Sequence, residues 1–239
     1  MITMTDLEKV RQNGYVIDSI KNPSEEVQLA AVQQNGYSIQ FIKNPSMEVQ
    51  LEAVRKNGHA IRHIKNPSEE VQLCAVRQNG HAIEVIDNPS EEALLIAVQQ
   101  NGWAIQFIKN PSMEVQLAAV QQNGGSVIRC IKNPYEAVQL AAVRQNGGSI
   151  RYIENPSIEV QSEAVRQDGG GVIRCIKNPY EAVQLAAVRQ NGTAICNIKN
   201  PSIEVQLEAV RQNGNAIRSI INPSEEVQLI AALSKDYND

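Results

Sequence analysis

His59 and His63 stand four residues apart, His81 follows 22 residues after His59, and Glu84 lies three further on. Imidazoles and a carboxylate are zinc chemistry only where three or four of them converge on one point. Two histidines on one short segment of a varied row do not make such a set, so no metal is expected. The cysteines Cys74, Cys130, Cys175 and Cys196 have no Cys-x-x-Cys spacing. Neither a zinc site nor a disulfide framework is expected of them, and they read as reduced structural residues.

Two glycine-rich stretches carry more specific chemistry. "QNGGSVIRCIKNPYEAVQLAAVRQNG" from Gln122 returns as "QDGGGVIRCIKNPYEAVQLAAVRQNG" from Gln167. In each, a glycine turn (Gly124, Gly125, Ser126; Gly169, Gly170, Gly171) enters a short segment bearing Arg129 or Arg174, and Tyr135 or Tyr180 follows. Backbone amides beside a guanidinium can hold a phosphate or carboxylate, and a tyrosine face can hold a base. A small phosphorylated or nucleotide ligand is therefore one reading. The other is architectural: each stretch holds one residue more than its neighbours, and glycine absorbs an insertion in a turn most simply. Neither turn is a P-loop, because no Gly-Lys-Ser or Gly-Lys-Thr follows. With no nucleophile elbow or triad in the chain, a protein without catalysis and without a cofactor is expected.

All these residues hang on one repeated frame. Every proline belongs to an Asn-Pro pair, from Pro23 and Pro45 through Pro201 to Pro223, at a spacing of 22 residues that becomes 23 at two places. Fixed self-similarity at this period predicts a solenoid. The expected architecture is an all-α solenoid of about ten 22-residue helix-turn-helix repeats. It forms a single repeat domain over 1–239, with an N-terminal partial repeat or cap at 1–21, nine full repeats at 22–221 and a C-terminal partial repeat or cap at 222–239.

Within a repeat, "NPSEEVQLAAVQQNG" predicts an α-helix. Its signs are a pre-proline Asn, Pro at the first helical position, Asn22 or Ser24 as the N-cap, glutamate in the first turn and Gly after the last. The recurring carboxylates Glu26, Glu48, Glu70 and Glu92 are explained by the helix dipole. Val27, Leu29, Ala31 and Val32 share the expected buried arc. Gln28 and its equivalents stand within that arc, with Leu94 the exception. A buried amide needs partners, and a ladder to the turn backbone of the next repeat is expected. The following "YSIQFIK" keeps an apolar pair three apart (Ile39 and Ile42, Ile61 and Ile64), which predicts a short second helix in preference to a strand.

At 239 residues, with 42% apolar and 4% aromatic residues, the composition is that of a soluble helix-rich protein. A net charge of -4 with interspersed signs argues against nucleic acid as the main partner. No run of about 18 apolar residues appears, and "MITMTDLEKVRQNG" has neither a basic nor an apolar leader segment, so a cytoplasmic, unanchored protein is expected. Function on a repeated scaffold belongs to the positions that vary. Directly after Asn-Gly come Tyr15, Tyr37, His59, His81 and Trp103 in successive repeats. Such a row is a candidate surface for a protein partner, since aromatics are enriched in interface hot spots; filling gaps between layers is the plainer alternative.

"NPSEEVQLAAV" followed by "QNGYSIQFIK" resembles the short two-helix repeats of bacterial, phage and giant-virus proteins of unassigned role, and is more distantly similar to leucine-rich-variant and HEAT-like repeats. The resemblance covers nearly the whole chain and implies an α-solenoid. By analogy with phage proteins it also implies a counter-defence inhibitor, which binds and occludes a host factor in the host cytoplasm without chemistry. A self-assembling structural rod is a third reading of the same frame.

Overall fold

The computed structural model describes residues 4–236. The polar ending at 237–239, part of the expected C-terminal cap, lies outside them. Among the described residues there are α-helices and 3-10 helices in strict alternation and no strand, an all-α solenoid of about ten repeats. By Cα packing it divides into two compact bodies, Met1–Gln122 and Asn123–Asp239, the boundary falling at the first 23-residue repeat.

In the first body, the repeat at Asn22 shows how the local sequence makes the elements. The α-helix runs Glu25–Gln34 with Ser24 as its N-cap, the Ser24 hydroxyl accepting from the Val27 N–H. Pro23 therefore precedes the cap and does not occupy the first helical position, a correction to the sequence reading. Asn22 is left-handed at φ 50°, where the pre-proline rule favours extended backbone; asparagine is the non-glycine residue that tolerates this region best. The other end also differs from expectation. Asn35, in extended conformation, donates its N–H to the Ala31 carbonyl and accepts the Tyr37 N–H on its side-chain oxygen. One asparagine thus ends the α-helix and starts the next helix, while Gly36 stays out of the left-handed region.

The second helix is 3-10, Gly36–Phe41. Three residues per turn eclipse positions i and i+3, which buries Ile39 and Ile42 together and gives the sequence pairing its physical meaning. From Asp6–Gln12 to Glu91–Gln100 successive α-helices pack on one another, as do the successive 3-10 helices from Gly14–Ser19 to Gly102–Phe107. Between them lie the fully buried Val49, Ala53 and Val54 and their equivalents. Leu29 sits at the rim of this core, half-buried.

The glutamine ladder is wired differently from the expectation. Gln28 Nε2 donates to the Pro23 carbonyl of its own repeat at 3.0 Å, and Gln50 does the same to Pro45. Gln72 also reaches onward: it donates to the Asn88 carbonyl at 3.4 Å and accepts from the Ser90 N–H at 2.9 Å. A second glutamine row does join repeats, Gln34 accepting from the Gly14 N–H and Gln78 from the Gly58 N–H.

The second body, Asn123–Asp239, repeats this scheme with two insertions. At both, the α-helix runs one residue longer, through Asn123 or Asp168, and Gly124 (φ 78°) or Gly169 (φ 75°) takes the capping place of Asn. Left-handed backbone of this kind favours glycine. The body also holds an ion cluster. Arg166 grips Glu163 through two bonds of 2.5 and 3.0 Å, Gln167 adds a third, and Arg144 of the preceding repeat lies 3.7 Å away. The Arg166 bonds first, then Gln167, hold the Glu163 carboxyl down at about 2, against an ordinary 4.5. Because the folded-state value lies below the unfolded one, the contribution is complete above about 4.5 and is lost as the pH falls towards about 2. Glu163→Gln is expected to flatten the fall of melting temperature across that window, measured by circular dichroism; an unchanged acid limb would refute the assignment.

Candidate partner-binding edge

In the 3-10 helices the first, third and fourth residues are buried, as with Gly58, Ala60 and Ile61, except that Val16 and Ile217 are half-buried. The second and fifth residues, eclipsed by the three-residue turn, are left to form the outer edge, with the sixth beside them. The variable positions of the sequence are thus the edge.

In the first body the edge is a double row of rings. Tyr15, 42% exposed, meets Phe41 of the next repeat edge-on at 5.9 Å between ring centres. Tyr37 meets His63 at 6.0 Å, and His81 meets Phe107 at 6.4 Å. His59 Nδ1 lies 3.3 Å from the side-chain nitrogen of Asn79, and Trp103 is half-buried in the same row. Tyr15, Tyr37, His59 and His81 are thereby braced from the following repeat, which is the gap-filling role, while an exposed rim remains. Burial, with Arg62 beside it, lowers the His63 imidazole from its ordinary value. His59 and His63 are engaged in separate pairs.

Phe41, His63 and Phe107 are the residues that the row after Asn-Gly does not include. Their signal was present as the varied residue between the fixed isoleucines. Only the diagonal packing of one repeat on the next turns it into a second row.

In the second body the same edge changes character. Its second positions are Ser126, Gly148, Gly171, Thr193 and Asn215, and its fifth positions include Arg129, Arg151, Arg174 and Arg218. The two glycine turns lie at one end of their 3-10 helices, Gly125–Cys130 and Gly170–Cys175. Tyr135 and Tyr180 come after the other end, about 12 Å along at 2 Å per residue. Tyr180, 51% exposed, lines a groove of about 740 Å³ with Arg151, Glu154, Cys175 and Lys177, and none of Gly169, Gly170, Gly171 or Arg174 borders it.

That groove has a counterpart of about 660 Å³ in the first body, bordered by Arg62, His63, Lys65 and Asp87. Both open at Asn-Pro turns that depart from the common form. Among the described residues Asn22, Asn44, Asn66, Asn110, Asn133, Asn155, Asn200 and Asn222 are left-handed, whereas Asn88 and Asn178 are not. At both departures a glutamine of the preceding repeat ties down the turn: Gln72 bonds to Asn88 and Ser90, Gln161 to Asn178 and Tyr180.

No helix among the described residues is long and apolar enough to cross a membrane. No protein-family model, no curated protein and no solved structure matches the chain.

Proposed function

We propose that the protein is a non-enzymatic binding scaffold that holds a protein partner against the ring edge of its first body. The observation that supports this is the braced double row of Tyr15, Tyr37, His63, His81, Phe41 and Phe107 on a solvent-facing edge. Rings held by a neighbouring layer lose little side-chain freedom on binding, which is the cost that weakens most flexible surfaces. Occlusion of a host factor is the form of binding suggested by the likeness to phage repeats, and covering a partner's surface needs no reacting group.

Tyr37→Ala combined with Trp103→Ala is expected to weaken a partner recovered on the immobilised protein at least tenfold, about 1.4 kcal/mol. Calorimetric titration of the purified partner is the measurement, with the melting temperature as the check on folding. A folded double variant of unchanged affinity would overturn the reading.

A further inference from the structure

The second body carries arginines in two registers, and their surroundings differ. In the last turns of the α-helices, Arg144 and Arg166 face Glu163, while Arg189 and Arg211 face Glu208 at 3.2 and 3.8 Å. The edge row behaves otherwise. Arg151, Arg174 and Arg218 are exposed, and among the described residues none of them meets a carboxylate within 4.0 Å. Arg151 is oriented nonetheless: its Nε donates to the Gly148 carbonyl at 3.0 Å, and its Nη2 lies 3.3 Å from Cys175 Sγ in the next repeat. Lys177 and Lys199 stand exposed three positions after the fifth-position residues of their repeats, and Glu154 is the acid at that register.

Beside these cations the second positions are small. A Cβ placed on Gly171 would meet nothing within 4 Å, so the place filled by a ring in the first body is open at this repeat. The groove bordered by Arg151, Lys177 and Tyr180, with Glu154 also in its lining, interrupts this strip. Stacked layers repeat at roughly 8–10 Å. A polyproline-type peptide rises about 3.1 Å per residue, or about 9.3 Å every third residue. We propose that this edge binds an extended acidic peptide whose carboxylates recur at every third residue, one of them seated in the groove between Arg151 and Lys177.

A nucleic acid fits less well. A strand presents a charge about every 3.4 Å, roughly three times the density of the row. The peptide site is separate from the ring edge and stands or falls independently of it.

The test is fluorescence anisotropy of the full chain at low salt with three labelled probes: a peptide of four Glu-Pro-Pro triplets, the same composition with its glutamates contiguous, and an oligothymidylate of equal length. The triplet peptide is expected to bind at least tenfold tighter than the permuted one, and Arg151→Ala with Arg174→Ala to weaken it at least tenfold. Arg189→Ala, in the α-helix register where the side chain faces Glu208, is expected to leave it unchanged. Equal binding of the two peptides, no binding of the triplet peptide, or tighter binding of the oligonucleotide would each overturn the proposal. The probe comparison needs no variant, so it holds whatever the substitutions do to folding.

Discussion

Gly36→Ala is expected to cost about 3 kcal/mol of stability, at the upper end of what one methyl forced into a packed interior costs. Gly36 is buried, and a Cβ on it would lie 2.5 Å from the Ala53 carbonyl oxygen and 3.2 Å from the backbone nitrogen of Asn57. Both belong to the next repeat, and both are backbone that no side-chain rotation can move aside. The repeats would have to part at that layer. Gly171→Ala is the counterpart: that position is open, and its backbone lies outside the left-handed region. A gain of about 0.4–1 kcal/mol is expected there, from the reduced freedom of the unfolded chain. Denaturant titration of the two variants separates the cases. Equal losses would mean that these glycines serve backbone conformation and not the approach of layers.

Gln161→Leu is expected to cost about 3 kcal/mol, measured in the same way. Gln161 is 2% exposed and bonds to three backbone groups: the Pro156 and Asn178 carbonyls at 3.0 and 3.4 Å, and the Tyr180 N–H at 3.1 Å. Each group left unpaired out of water costs about 1–3 kcal/mol. The groove beside Tyr180 should also lose its shape, because this amide is what ties the Asn178 turn to the preceding repeat. Gln206→Leu is expected to cost only about 1 kcal/mol, since Gln206 bonds to the Pro201 carbonyl of its own repeat and is only half-buried. Leu94, 9% exposed at the same register, shows that an apolar residue fits the site where the turn does not depend on it. Equal losses at positions 161 and 206 would remove the distinction between the two kinds of turn.

Much of the site was legible in the chain because the edge consists of whatever does not repeat. The row Tyr15, Tyr37, His59, His81 and Trp103 follows from its fixed place after Asn-Gly. The bracing rings Phe41, His63 and Phe107 do not, because each touches a residue 26 positions earlier, a relation that no local spacing encodes. The glycine turns and the tyrosines near them in the chain looked like one constellation. A 3-10 helix lies between them along the chain, and the glycine turn at 169–171 does not border the groove that Tyr180 lines.

Sequence alone determined the period, the two helices of each repeat and the inward register of Ile, Val and Ala. These depend on properties that act within a few residues: the locked φ of proline, the serine hydroxyl that reaches its own helix, and the eclipsing of residues three apart. Tertiary structure alone decided which glycines are packing sites, which arginines of the α-helices meet a carboxylate and where the grooves open. The clearest case is "VIRCIKNPYEAVQLAAVRQNG", identical at Val127 and Val172. In the first copy Asn133 is left-handed at φ 57°, while in the second Asn178 is not, and there Gln161 of the preceding repeat bonds across to the turn. Identical local chemistry accompanies both forms of the turn, so residues outside the repeated stretch decide between them.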